Sequence, residues 1–252
     1  MTLRRLTANL RAQNWTAIAL EFVLLILGVY LGILAANWNL ERLERQETIR
    51  LIYQLDAEMT QVQSNLDSID NYYEVSGHYA TQALAGWHGD PSISDSDFVI
   101  AAYQASQING IGTNSSVWAD IFGAENLRNI DDLNLRRVLR RLMTFDYGLV
   151  NLTAAMSRYR EEVRKVIPDS QQRAIRARCG DQLQHDGTLI LPEPCNMELP
   201  PAEAAATAME LRKRADLVPE LNWHRARVAT QLQNVRNLRQ YTRDLRQIIH
   251  NA

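Results

Sequence analysis

The segment from Trp15 to Trp38, WTAIALEFVLLILGVYLGILAANW, limits what this chain can become more than any other. Glu21 is its only charged residue, and from Phe22 to Ala36 it carries no charge. As a helix, about 24 residues rising roughly 1.5 Å each span roughly 36 Å, more than a hydrocarbon core of about 30 Å. Tryptophans at both ends suit the two membrane–water interfaces, where an amphipathic ring sits well. The sequence therefore predicts one transmembrane helix over residues 15–38. Nothing after Trp38 resembles a second span, which excludes a multi-span transporter. A cleaved signal peptide fits poorly. Glu21 interrupts the start of the apolar run, and cutting after Ala36 would place Leu34 where a small residue is wanted.

Residues 1–14 hold Arg4, Arg5 and Arg11 and no acid, whereas residues 39–50 alternate Glu41, Arg42, Glu44, Arg45, Glu47 and Arg50. Lys and Arg alone tie at three on each side. The amino terminus adds a positive charge to the first flank, and the glutamates neutralise the second. That tips the positive-inside rule towards a cytoplasmic tail at 1–14 and an extracytoplasmic domain at 39–252. The expected location is a bacterial inner membrane, with the larger domain in the periplasm.

The net charge of −2 hides an uneven distribution: Leu51 to Leu127 holds ten acids and no Lys or Arg, while the chain from Arg128 onwards holds 21 basic and 15 acidic residues. Acidic and basic halves facing each other, within one bundle or between protomers, account for this. An external polyanion is the competing explanation.

Within the span, Gly28 and Gly32 form a G-x-x-x-G pair that Ala36 extends by a turn, and Glu21 lies two turns before Gly28 on the same face. Small residues let helix backbones approach closely in a membrane. A carboxyl at this depth either reaches back to the interface or finds a partner. The expected interface is Glu21, Gly28, Gly32 and Ala36, with a monomeric anchor as its alternative.

Glu21, Gly28 and Asn37-Trp38-Asn39 together resemble the start of an uncharacterised bacterial family, a domain of unknown function. Its N-terminal anchor reads roughly E-x6-G-x8-N-W-N. The stretch 122–142 is similar to a later segment of that family: Gly123, Leu127 and Ile130 match its G-x-x-L-x-x-I pattern with one residue inserted. The resemblance covers about a quarter of the chain. It implies a single-pass membrane protein with a helical domain and carries over no catalytic or binding residues.

After the span the helix is expected to continue. Ile52, Leu55, Met59, Val62, Leu66, Ile69 and Tyr73 alternate by three and four, the seam of a bundle or coiled coil. Gly86 to Pro91 ends it, and Ser92–Asp97 is expected to cap a helix from about Phe98 to Gln107. Ile108 to Ser116 reads as a connecting loop. A long helix is predicted from about Asp131 to Val166, stopped by Pro168, with Asp169 or Ser170 capping a short helix to Arg178. Beyond Pro200-Pro201 two helices are expected, 202–217 and 220–249, with Pro219 as boundary or kink.

Residues 179–195, CGDQLQHDGTLILPEPC, form the one non-helical unit. Asp186-Gly187 is a hairpin turn signal between two short apolar runs. Cys179 and Cys195 bracket it and can form a disulfide, which requires an oxidising compartment. A metal site with His185 is the other possibility, but no C-x-x-C pair and no fourth ligand accompany it. The fold class is thus all-α: a transmembrane helix continuing into a long-helix bundle, with a small disulfide-closed hairpin inserted.

In the last helix Arg236, Arg239, Arg243 and Arg246 recur by three, four and three. That stripe is solvated, paired within the chain, or available to anionic headgroups. Nucleic acid is not expected outside the cytoplasm. The five histidines are scattered, and no H-E-x-x-H, G-x-S-x-G or phosphate loop occurs. No catalytic residue, cofactor or metal is expected. The sequence points to a non-catalytic interaction or scaffold protein. Its expected partners are the lipid bilayer and either a second copy or another membrane protein. A ligand sensor signalling laterally in the membrane is the alternative.

Overall fold

Helix α1 runs from Trp15 to Trp87 without interruption, carrying both the apolar segment and the seam that follows it. No proline occurs before Pro91, so nothing in the covalent chain stops the helix earlier. It ends where Gly89 adopts φ 76° and Asp90 N–H reaches back to the Ala85 carbonyl at 3.1 Å, a left-handed glycine cap. The structure, a computed structural model, describes residues 15–109, 127, 130–150 and 157–251. It divides into two units, residues 1–51 and 52–252. Within the first, the apolar side chains from Leu20 to Leu34 are exposed.

The second unit holds the rest of α1 and six further α-helices among the described residues: α2 (Asp95–Gln104), α3 (Leu133–Met143), α4 (Arg158–Val166), α5 (Asp169–Cys179), α6 (Pro201–Lys213) and α7 (Leu217–Asn251). Strands β1 (Gln182–Leu183) and β2 (Leu189–Ile190) pair antiparallel between α5 and α6. The chain is therefore all-α with one hairpin. Leu55, Met59, Leu66, Ile69 and Tyr73 are buried and Ile52 and Val62 half-buried, so most of the predicted seam of α1 is core, with Tyr72, Tyr79 and Ala83 added to it.

Helix α2 starts three residues before its expected position. Ser94 caps it, its hydroxyl accepting the Asp97 N–H at 3.1 Å, as a serine at the N-cap should. Phe98 to Gln104 is buried on all sides. Trp87 closes against it: its indole N–H donates to the Leu211 carbonyl at 2.8 Å, and its ring meets Phe98 edge-on at 5.0 Å. Tyr159 adds a hydroxyl donated to the Ala102 carbonyl at 2.8 Å.

The single helix expected over 131–166 is broken. Helix α3 ends at Met143 with Thr144 as its C-cap, a short 3-10 turn follows at Tyr147–Val150, and α4 restarts after Ser157, whose hydroxyl accepts the Arg160 N–H. Asp146 causes the break locally, its carboxylate accepting the Gly148 N–H at 2.9 Å in competition with the helix. Helix α5 begins at Asp169 behind Pro168 and has no side-chain cap, so neither Asp169 nor Ser170 caps it. Helix α6 stops at Lys213, short of Leu217. Pro219 falls in the first turn of α7 and produces no boundary, because an N–H missing there has no intrahelical partner to lose. The expected connecting loop at 108–116 lies outside the described residues from 110 onwards.

Candidate functional site

Glu21, Gly28, Gly32 and Ala36 all lie on α1 and all are exposed. At about 100° per residue, steps of seven, four and four residues keep the four within about 80° of arc. A Cβ added at Gly28 or Gly32 would meet nothing within 4 Å, so this face has no partner within the described chain. Among the described residues α1 is the one helix long and apolar enough to cross a membrane.

The arginine stripe of α7 is spent inside the chain. Arg236 forks onto the Asp70 carboxylate at 2.9 and 3.1 Å, and Arg239 bridges Asp67 at 2.9 Å and Asp70 at 3.1 Å. Arg246 meets Asp56 at 3.0 Å, and Arg243 stands further off, 3.8 Å from Asp67. As α7 numbers rise the α1 numbers fall, so the two helices run antiparallel with acids facing arginines. Part of the charge asymmetry of the sequence, at Asp56, Asp67 and Asp70, is thus neutralised within one chain.

A second polar edge of α1 holds the hairpin. Ser68 donates to the Leu189 carbonyl at 2.8 Å, Tyr72 to the Asp181 carboxylate at 2.7 Å, and Tyr79 to the Pro192 carbonyl at 2.7 Å. Gln61 donates to the Asp186 carbonyl at 3.0 Å. Burial and the Asp181 carboxylate push the Tyr72 hydroxyl well above its ordinary pKa, and burial raises that of Tyr79 to about 12. Both phenols therefore remain donors at any ordinary pH. Cys179 and Cys195 are bonded, Cα to Cα 5.4 Å, which leaves no thiolate to join His185 in a metal site. Asp186 and Gly187 make the turn, with Gly187 at φ 81° where a side chain would be strained.

Three arginines that the sequence did not single out gather at the C-terminal end of α2. Arg160 donates to the Ser106 carbonyl, and Arg164 donates to Ser106 Oγ at 3.1 Å and Gln107 Oε1 at 2.8 Å. The Arg164 guanidinium also lies over the Tyr103 ring, 4.7 Å from its centre, and Arg176 donates to the Tyr103 hydroxyl at 3.2 Å. Cations belong at a helix C-terminus, where unpaired carbonyls accumulate negative charge.

Beside them lies a hollow of about 170 Å³ between α1 and α7. Tyr73, Gly77 and Ala80 form one wall; His224, Val228 and Leu232 form the other, with Arg225 also lining it. His224 is 2% exposed, and neither ring nitrogen has a hydrogen-bond partner. Leaving a buried polar group unpaired costs about 1–3 kcal/mol. Burial, with Arg160 and Arg227 nearby, lowers its pKa from 6.5 to about 4, so the ring is neutral at pH 7, with one N–H and one lone pair. This site was missed in the sequence, although a signal was present: Leu221, His224, Val228, Leu232 and Val235 recur by three and four, which puts the histidine on the buried face of α7.

Among the described residues no group of three His, Cys, Asp or Glu is placed to hold a metal. No family model matches the chain, and neither a curated protein nor a solved structure matches it.

Proposed function

We propose that this chain is a non-catalytic scaffold held at a bacterial inner membrane by residues 15–38, with 1–14 in the cytoplasm and 39–252 in the periplasm, and that it belongs to the family with the E-x6-G-x8-N-W-N anchor. One observation carries the proposal: the apolar side chains from Leu20 to Leu34 are exposed, and a surface of that length and character demands lipid or a partner. The three arginines at 1–14, with no acid beside them, support the orientation. The disulfide agrees with an oxidising compartment. Assembly runs through Glu21, Gly28, Gly32 and Ala36, where backbones can approach closely. A cysteine placed at 28 or 32 should crosslink to a second copy, or to one stoichiometric membrane partner, in native membranes. Absence of any adduct at both positions would remove the interface.

The hollow beside His224 favours a second reading, a ligand sensor signalling laterally. It is lined by residues of α1, the same helix that carries the span.

A further inference from the structure

The hollow beside His224 has a definite size, lining and charge. Its volume of about 170 Å³ is near that of apolar cavities of about 150 Å³ that take up benzene, so it suits an apolar body of about six to ten non-hydrogen atoms, with the exposed Arg225 on its open side. Ala80, Val228 and Leu232 give it an apolar wall. No Asp or Glu lines it, whereas Arg225 does and is exposed. Arg160 and Arg227 add positive charge around His224. A cationic ligand would be repelled. Meanwhile the His224 ring keeps a buried N–H with no acceptor.

We propose that this hollow binds a small monocarboxylate with an apolar body, the class to which benzoate and short branched-chain acids belong. The body rests on Ala80, Val228 and Leu232, while the carboxylate accepts from the Arg225 guanidinium on the open side. Charge-assisted bonds of this kind are the stronger sort, and they give the site its preference for an anion over an alcohol of the same shape. The proposal deepens the sensing reading, but it is tested by binding alone, so a failure of signalling would leave it standing.

The full chain in detergent micelles is titrated calorimetrically with sodium benzoate and, separately, with benzyl alcohol. Benzoate should saturate with a Kd of about 1 mM or tighter, as ligand-efficiency limits allow for nine atoms, with benzyl alcohol about tenfold weaker. Arg225→Gln should weaken benzoate about tenfold and leave benzyl alcohol unchanged. Gly77→Leu should abolish binding of both: a Cβ at Gly77 meets nothing within 4 Å, so the longer side chain can fill the hollow, and leucine is the better helix former. Arg225 is exposed, so its variant stays readable whatever Gly77→Leu does to folding. Non-saturable benzoate uptake, equal affinity for the alcohol, or full benzoate affinity in Arg225→Gln would each overturn the proposal.

Discussion

Burial lowers the pKa of His224 from 6.5 to about 4, and the Arg160 and Arg227 charges act in the same direction. Between those values the unfolded chain binds a proton that the folded chain refuses. The stability tied to neutral His224 is therefore complete above about pH 6.5 and is lost as pH falls towards 4, by up to about 3 kcal/mol. Urea unfolding of the full chain in micelles, at pH 7 and at pH 4.5, should show that loss. A His224→Leu variant should show a loss smaller by about that amount, and an identical loss in the two proteins would mean that another group titrates. Asp70 and Arg243 mark two ends of a different range. Asp70 is 15% exposed and holds two arginines, so Asp70→Ala should cost about 1 kcal/mol, Arg236 losing its acid while Arg239 keeps Asp67. The Arg243 side chain is 54% exposed at 3.8 Å from its acid, and Arg243→Ala should cost under about 0.5 kcal/mol. Thermal or urea unfolding of both variants checks the contrast.

At the scale of elements, the disulfide and the side-chain bonds from α1 both secure the 179–195 hairpin. Closing a loop of 16 residues contributes about 3 kcal/mol in the chain-entropy model. The Cys179→Ser/Cys195→Ser double variant should lose about that much in urea unfolding, while its helical circular dichroism stays native. Loss of helix would show that the bridge organises more than the hairpin. The turn and the bridge could be read from the sequence because both signals are local: Asp186-Gly187 and two bracketing cysteines. Helix α1 was equally readable, since its apolar seam keeps one spacing and no proline interrupts it. The break between α3 and α4 was not, because Leu149, Leu152 and Met156 continue the helical spacing across it. What decides the break is a competition between the Asp146 side chain and the helix for the Gly148 N–H. The bonds that Ser64, Ser68 and Tyr72 make to the hairpin were not legible for a similar reason. Their partners lie more than a hundred residues away.

Across the whole molecule, the sequence yielded fold class and charge arrangement more readily than the hollow. Ten acids without a Lys or Arg between residues 51 and 127, and arginines concentrated after them, are visible in composition, and opposing the two regions predicts that they face each other. The hollow exists only because Gly77 and Ala80 are small where α7 passes His224, a coincidence of two helices that no single stretch displays. The central proposal remains the anchor and its orientation. The most direct measurement uses paired carboxyl-terminal fusions of the full chain, one to a phosphatase that folds only in the periplasm and one to a fluorescent protein that folds only in the cytosol. The expected result is an active phosphatase in the membrane fraction with no fluorescence. Fluorescence without phosphatase activity would place residues 39–252 on the cytoplasmic side and contradict the proposed orientation.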